Sequence, residues 1–262
     1  MSKISDGQLT YYYSGQGELS IATRDDTTGD PLGFSWLGNV AELKITASES
    51  KTDHKESFSG QRAIDKSFGT ETTIAMEFIA ENFSAANLQR FLRGTENDIV
   101  AGGIVAGEYK AYLGKGVSLG YVNVSSVIVN KDATPLVAYV DENTAYDYKV
   151  NEVSGTLIFA ETPDTAGLVD GDDLTVDFSY DAQKKVDALT TASQEYYFRF
   201  EGLNTIEDDD PVVVNVFKVQ TDILAELNLI ADDIQQNTVT GTILYDSLRT
   251  SGSNFFETLS VQ

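Results

Sequence analysis

The stretch TDHKESFSGQRAIDKS, residues 52–67, gathers hydroxyls, carboxylates and the only histidine of a 262-residue chain. Histidine is the side chain best suited to moving protons near neutrality, and a Ser-His-Asp set can be drawn from Ser57 or Ser59, His54, and Asp53 or Asp65. A triad is defined by roles in space and needs an oxyanion hole, and no G-x-S-x-G elbow frames these serines. The residues favour a solvated polar loop over a catalytic centre.

Other chemistry finds less support. With no cysteine, a disulfide framework, a thiolate zinc site and a cysteine nucleophile are all excluded. Oxygen-rich cation sites could draw on DGDD at 170–173 or EDDD at 207–210, but neither fits an EF-hand loop and solvated acidic turns explain both. AGGIVAGEY and LGKGVSLGY resemble phosphate loops only in glycine content. Glu108 stands where a P-loop requires lysine, and Gly114, Gly116 and Gly120 are spaced too widely for a dinucleotide fingerprint, so both stretches are expected to be hinges or turns. No cofactor and no metal site is expected. Paired carboxylates for a hydrolase are available among 41 acids, but their separation is not readable from sequence.

The charge balance is the strongest compositional fact: 41 acidic against 18 basic side chains gives a formal −23. Such a surface repels phosphates and excludes nucleic-acid binding through a general basic footprint. It suits a wall past which DNA slides without sticking. The start MSKISDGQLTYYYSG lacks the apolar core of a signal peptide, and no run approaches the roughly 20 apolar residues of a bilayer span, so a soluble chain made without export and without membrane insertion is expected.

The elements that must position these residues are mostly strands. TTIAMEFI alternates Ile74, Met76 and Phe78 on one face; EYYFRFEG sets Tyr196, Phe198 and Phe200 against Tyr197, Arg199 and Glu201; TVTGTILYD sends Val239, Ile243 and Tyr245 one way and three threonines the other. DPVVVNVFKVQTD reads as a further, more buried strand. ENFSAANLQRFLRG predicts one short helix, with Ser84 as N-cap, Leu88, Phe91 and Leu92 as its apolar face, and Gly94 at the C′ position. TDILAELNLIADD is a second, weaker helical candidate whose apolar positions fit a strand nearly as well. Between residues 114 and 186, short strands alternate with turns at regular spacing, which predicts a small β module inserted into a core domain built from 1–113 and 187–262. The fold class expected is mainly β, with sandwich- or barrel-forming sheets, one short flanking helix and the inserted module.

GFSWLGNVAELKITASESKTDHKESFSGQRAIDKSFGTETTIAMEFIAENFSAANLQRFLRG runs as strand, polar loop, strand and helix. With FRFEGLN, VVVNVFKV, AELNLIADD and VTGTILYD closing the chain, it resembles the tail tube proteins of long-tailed bacteriophages over about 190 of the 262 residues. The resemblance implies a tail-tube-like fold and a structural virion protein of the tail, not an enzyme. It implies homo-hexameric rings stacked into a tube, with other tail proteins as partners, a sheath where the tail is contractile, and DNA passing through an acidic lumen without specific binding. It also implies that residues 50–67 form an intersubunit loop. Within residues 51–66, Lys51, Lys55, Arg62 and Lys66 face Asp53, Glu56 and Asp65, so four basic residues meet three acidic ones with His54 neutral. A basic-leaning arm in so acidic a chain would relieve repulsion between stacked copies. The inserted module departs from the minimal tube fold. Its Tyr139, Tyr146 and Tyr148 could form an aromatic platform, which sustains an alternative reading as a carbohydrate- or cell-surface-binding tail-tip or baseplate protein.

Overall fold

A computed structural model describes residues 12–206, 209–230 and 232–261. Strand accounts for 52% of the chain and helix for 3%, so the fold is mainly β. Among the described residues, no helix is long and apolar enough to cross a membrane. The chain divides into two compact units, one of residues 1–95 and 186–262, the other of residues 96–185.

The first unit opens with β1 (Gly15–Thr23), β2 (Ser35–Trp36), β3 (Val40–Lys55), β4 (Ile64–Ala80) and α1 (Ala85–Phe91). The second contains β5 (Thr95–Ile99, whose first residue belongs to the first unit), β6 (Gly102–Lys110), β7 (Gly116–Ser118), β8 (Val124–Lys131), β9 (Thr134–Pro135), β10 (Tyr148–Asn151), β11 (Thr156–Phe159), β12 (Asp173–Tyr180) and β13 (Gln183–Asp187, whose last two residues return to the first unit). The first unit then closes with β14 (Glu195–Asn204), β15 (Asp210–Thr221), β16 (Asn237–Ile243) and β17 (Phe256–Ser260). The expected core boundary at 113 is corrected to 95. The glycines of AGGIVAGEY lie inside β6, which pairs with β12, so residues 96–113 belong to the second unit. Gly102, Gly103 and Gly107 are therefore strand residues and not hinges. A bulge at Ala106, whose N–H donates to Asp177, accommodates the irregular stretch.

In the first unit the strands order as β2-β1-β14-β15-β16-β4-β3, with β17 added to the half of β15 that β16 leaves free. The alternating pattern places Ile74, Met76, Phe78, Tyr196, Phe198, Val239 and Ile243 in one core. Phe78 meets Phe91 and Phe198 with ring centroids 5.7 and 5.8 Å apart, which packs α1 onto the sheet. The opposite face of β14 is less polar than expected: Tyr197 is buried with Ala22 and Phe217 in a second patch, and Arg249 lies over the Phe217 ring. Tyr245 lies past the end of β16 and is exposed.

Ser84 caps α1 as expected, its hydroxyl accepting from the Asn87 N–H at 3.3 Å. Ser84→Ala is expected to cost about 1 kcal/mol, read as a lower urea midpoint with unchanged slope. At the other end Arg93, not Gly94, takes the left-handed conformation. Gly94 is needed for a close approach, since a Cβ there would lie 2.7 Å from the Asp187 carbonyl. The segment 222–236, described except for residue 231, is neither helix nor strand. Leu224 anchors it in the core while Leu229, Ile230 and Ile234 stay exposed.

The second unit has its own core, in which Val129, Leu157, Phe159, Val176 and Phe178 are joined by Tyr148. Its principal sheets run β6-β12-β8-β9 and β10-β11-β7.

Candidate assembly surface

The apolar alternation that ties β3 and β4 to the core stops partway along both strands. Leu43, Ile45 and Ala47 pair with Phe78, Met76 and Ile74, and the next residues in the same alternation are Glu49, Lys51 and Asp53. Beyond Ala47 and Ile74 no strand side chain of the arm is buried, Phe68 and Ile64 included, yet the strands continue pairing, Ser48 with Thr73 and onward to Lys55 with Ile64. The result is a two-stranded arm in which residues 46–55 and 64–73 are all exposed. The stretch expected as a long polar loop is thus largely β-hairpin, with a turn only at 56–63.

Bulges at Thr70 and Asp65 interrupt the arm's ladder, and the Thr70 hydroxyl donates to the Ser50 carbonyl at 3.1 Å. Lys51 reaches Glu49 at 3.3 Å. Asp53 pairs with Ser67, and His54 with Lys66. The His54 Nδ1 lies 2.6 Å from Asp65, on an exposed surface. This joins two members of the possible triad, but the Ser59 hydroxyl donates to Glu56 and not to His54. Among the described residues, Lys55, Arg62 and Lys66 form no salt bridge, which leaves three cations near the tip available to another molecule.

Glu56 is turned inward, unlike its neighbours in the loop. It is 6% exposed, and its carboxylate accepts the Phe58 N–H at 2.8 Å, the Ser59 N–H at 2.9 Å, the Ala63 N–H at 3.3 Å and the Ser59 hydroxyl. These donors, the Ser59 hydroxyl foremost, hold its pKa down to about 2 from an ordinary 4.5. Gly60 and Arg62 supply the positive φ angles of 80° and 52° that fold the tip around the carboxylate. The tip is therefore internally built, and it presents Phe58 at 88% exposure.

A depressed carboxylate pKa stabilises the folded tip fully above the unfolded value and loses that contribution as pH falls through the folded one. Hydrogen exchange at Phe58, Ser59 and Ala63, corrected for intrinsic rates, is expected to accelerate as pH drops from 4.5 towards 2. Glu56→Gln should loosen these amides already at neutral pH and remove the acid step; identical profiles for the two proteins would contradict the assignment.

At the base of the arm the described strands do not close the sheet. Gly15, Gln16 and Gly17 of β1 face Val40, Ala41 and Glu42 of β3 across a groove of about 610 Å³, floored by Leu19, Leu43, Ile45, Phe200 and Val214. Among the described residues β3 is also an edge strand along all 16 of its residues.

The acidic stretches are otherwise engaged. Asp170 accepts the Leu113 N–H, Asp172 bonds Lys131 and the Val169 N–H, and Asp173 meets Lys110 at 2.6 Å. Of EDDD, residues 207 and 208 lie outside the described residues. Among the described residues, no group of three or more histidines and carboxylates is placed to hold a metal ion. The three tyrosines of the alternative reading do not form one platform: Tyr148 is a core residue, Tyr139 and Tyr146 meet edge to face at 5.0 Å, and Lys149 lies over the Tyr139 ring.

Fold and surface together define a mainly β, two-unit protein carrying a long exposed hairpin arm and an open edge. The chain belongs to the family described as "Protein of unknown function UCP028589", whose sequence profile matches residues 12–258. No curated protein matches it.

Proposed function

We propose that this protein is a structural subunit of a bacteriophage tail tube, whose copies close into rings, hexameric by the resemblance, that stack into a conduit for DNA. The observation that carries the reading is the arm. A two-stranded hairpin alone in water is marginal, yet this one stays paired from Ser48 with Thr73 out to Lys55 with Ile64 with no buried side chain, and ends in a tip organised by Glu56. Such a segment gains its stability on another molecule, and a second copy offers open strand edges on which to lie. The net charge of −23 supports the same role, because a wall dominated by carboxylates gives passing DNA no counterion-release affinity. Other tail proteins would meet the ends of the tube, and a sheath would surround it in a contractile tail.

Sedimentation of the purified protein tests this. Closed rings and their multiples are expected at micromolar concentration, whereas a monomer at every concentration would count against the proposal.

A further inference from the structure

We propose that the arm tip of one copy seats in the groove between β1 and β3 of a second copy, with Phe58 as the apolar knob. This pairing rests on the tube reading and names its contact. The groove exposes the side chains of Leu43, Ile45, Phe200 and Val214 between two strand edges, which is the apolar floor that a ring of Phe58 requires.

The occupant must come from another molecule. The groove lies at the base of the arm, and the ten residues from Ile45 to Lys55 place the tip about 33 Å away along a paired ribbon. Charge favours the same partner. Residues 51–66 carry four basic and three acidic side chains, while the rest of that unit carries eight basic and 23 acidic ones. Lys55, Arg62 and Lys66, without ion partners among the described residues, bring positive charge to a strongly acidic body. Because knob and groove sit at opposite ends of the same arm, the contact is head to tail and leaves a free groove at one end of any pair and a free knob at the other. It therefore propagates along the arm's direction, as stacking requires.

The absence of cysteine allows a direct test. Gln61→Cys beside the knob and Glu42→Cys in the groove, combined in one chain and bridged with a short bis-maleimide, are expected to give a covalent ladder of dimers, trimers and higher species. Either single variant, whose one thiol has no partner thiol across the contact, should stay monomeric. An assembled double variant that gives no ladder overturns the proposal and leaves the tube reading standing. A ladder from a protein that forms no rings or tubes would uphold the contact and sink the tube reading, and neither ladder nor assembly would sink both. Phe58→Ala is expected to raise the protein concentration needed for stacking about tenfold or more without altering the fold, since the ring is exposed in the single chain. Unchanged assembly in that variant would equally overturn the role of the knob.

Discussion

Replacement of residues 49–72 by Asn-Gly is expected to leave a folded protein that no longer forms tubes. Ser48 and Thr73 already face each other across the arm, so a two-residue turn of this type closes the shortened hairpin in register. The excised residues touch none of the core, and Ile74, Met76 and Phe78 keep their partners on β3 and β16. Stability by urea denaturation should stay within about 1 kcal/mol of the parent, because an isolated hairpin contributes little. Assembly should be abolished rather than weakened, since the tip, its cations and the long edge are lost together. Tubes of normal length from the excised protein would remove the arm from the assembly mechanism.

The second large effect is expected at Asp246. Its carboxylate is 2.8 Å from the Arg24 guanidinium, with both side chains nearly inaccessible at 2% and 7%. The same residue accepts the Leu248 N–H, and its carbonyl receives the Asn254 amide, which fixes the turn leading into β17. Asp246→Ala leaves Arg24 buried with, among the described residues, the half-exposed Glu195 at 3.4 Å as its remaining acidic partner. Breaking one side of a buried pair costs about 3–5 kcal/mol. Pairing the change with Arg24→Met is expected to recover much of that loss, because the penalty comes from the stranded charge more than from the lost bond. Equal destabilisation by the single and double variants would contradict this account.

The sequence made the core legible wherever one face of a strand is apolar. Ile74, Met76 and Phe78, the Ser84 cap and the Val-rich β15 follow from periodicity and capping chemistry alone. The arm was not legible in this way. Between Ser48 and Lys55 both faces are polar, so period two carries no signal, and pairing depends on register propagated from Ala47 and Ile74. The burial of Glu56 is not legible for a related reason: a glutamate is normally exposed, and only the turn that aims three N–H groups at it explains its burial. Tyr148 reads in sequence as a core or strand aromatic more readily than as a binding one, and its place in the core of the second unit agrees. The boundary at 95 was hidden because the glycines of β6 resemble a hinge while the partner that makes them a strand, β12, lies some 70 residues later.

Negative-stain electron microscopy of the purified protein tests the central claim most directly. The account predicts rings with an open centre, and at higher concentration rings stacked into tubes of uniform width. Small monodisperse particles at every concentration would contradict it.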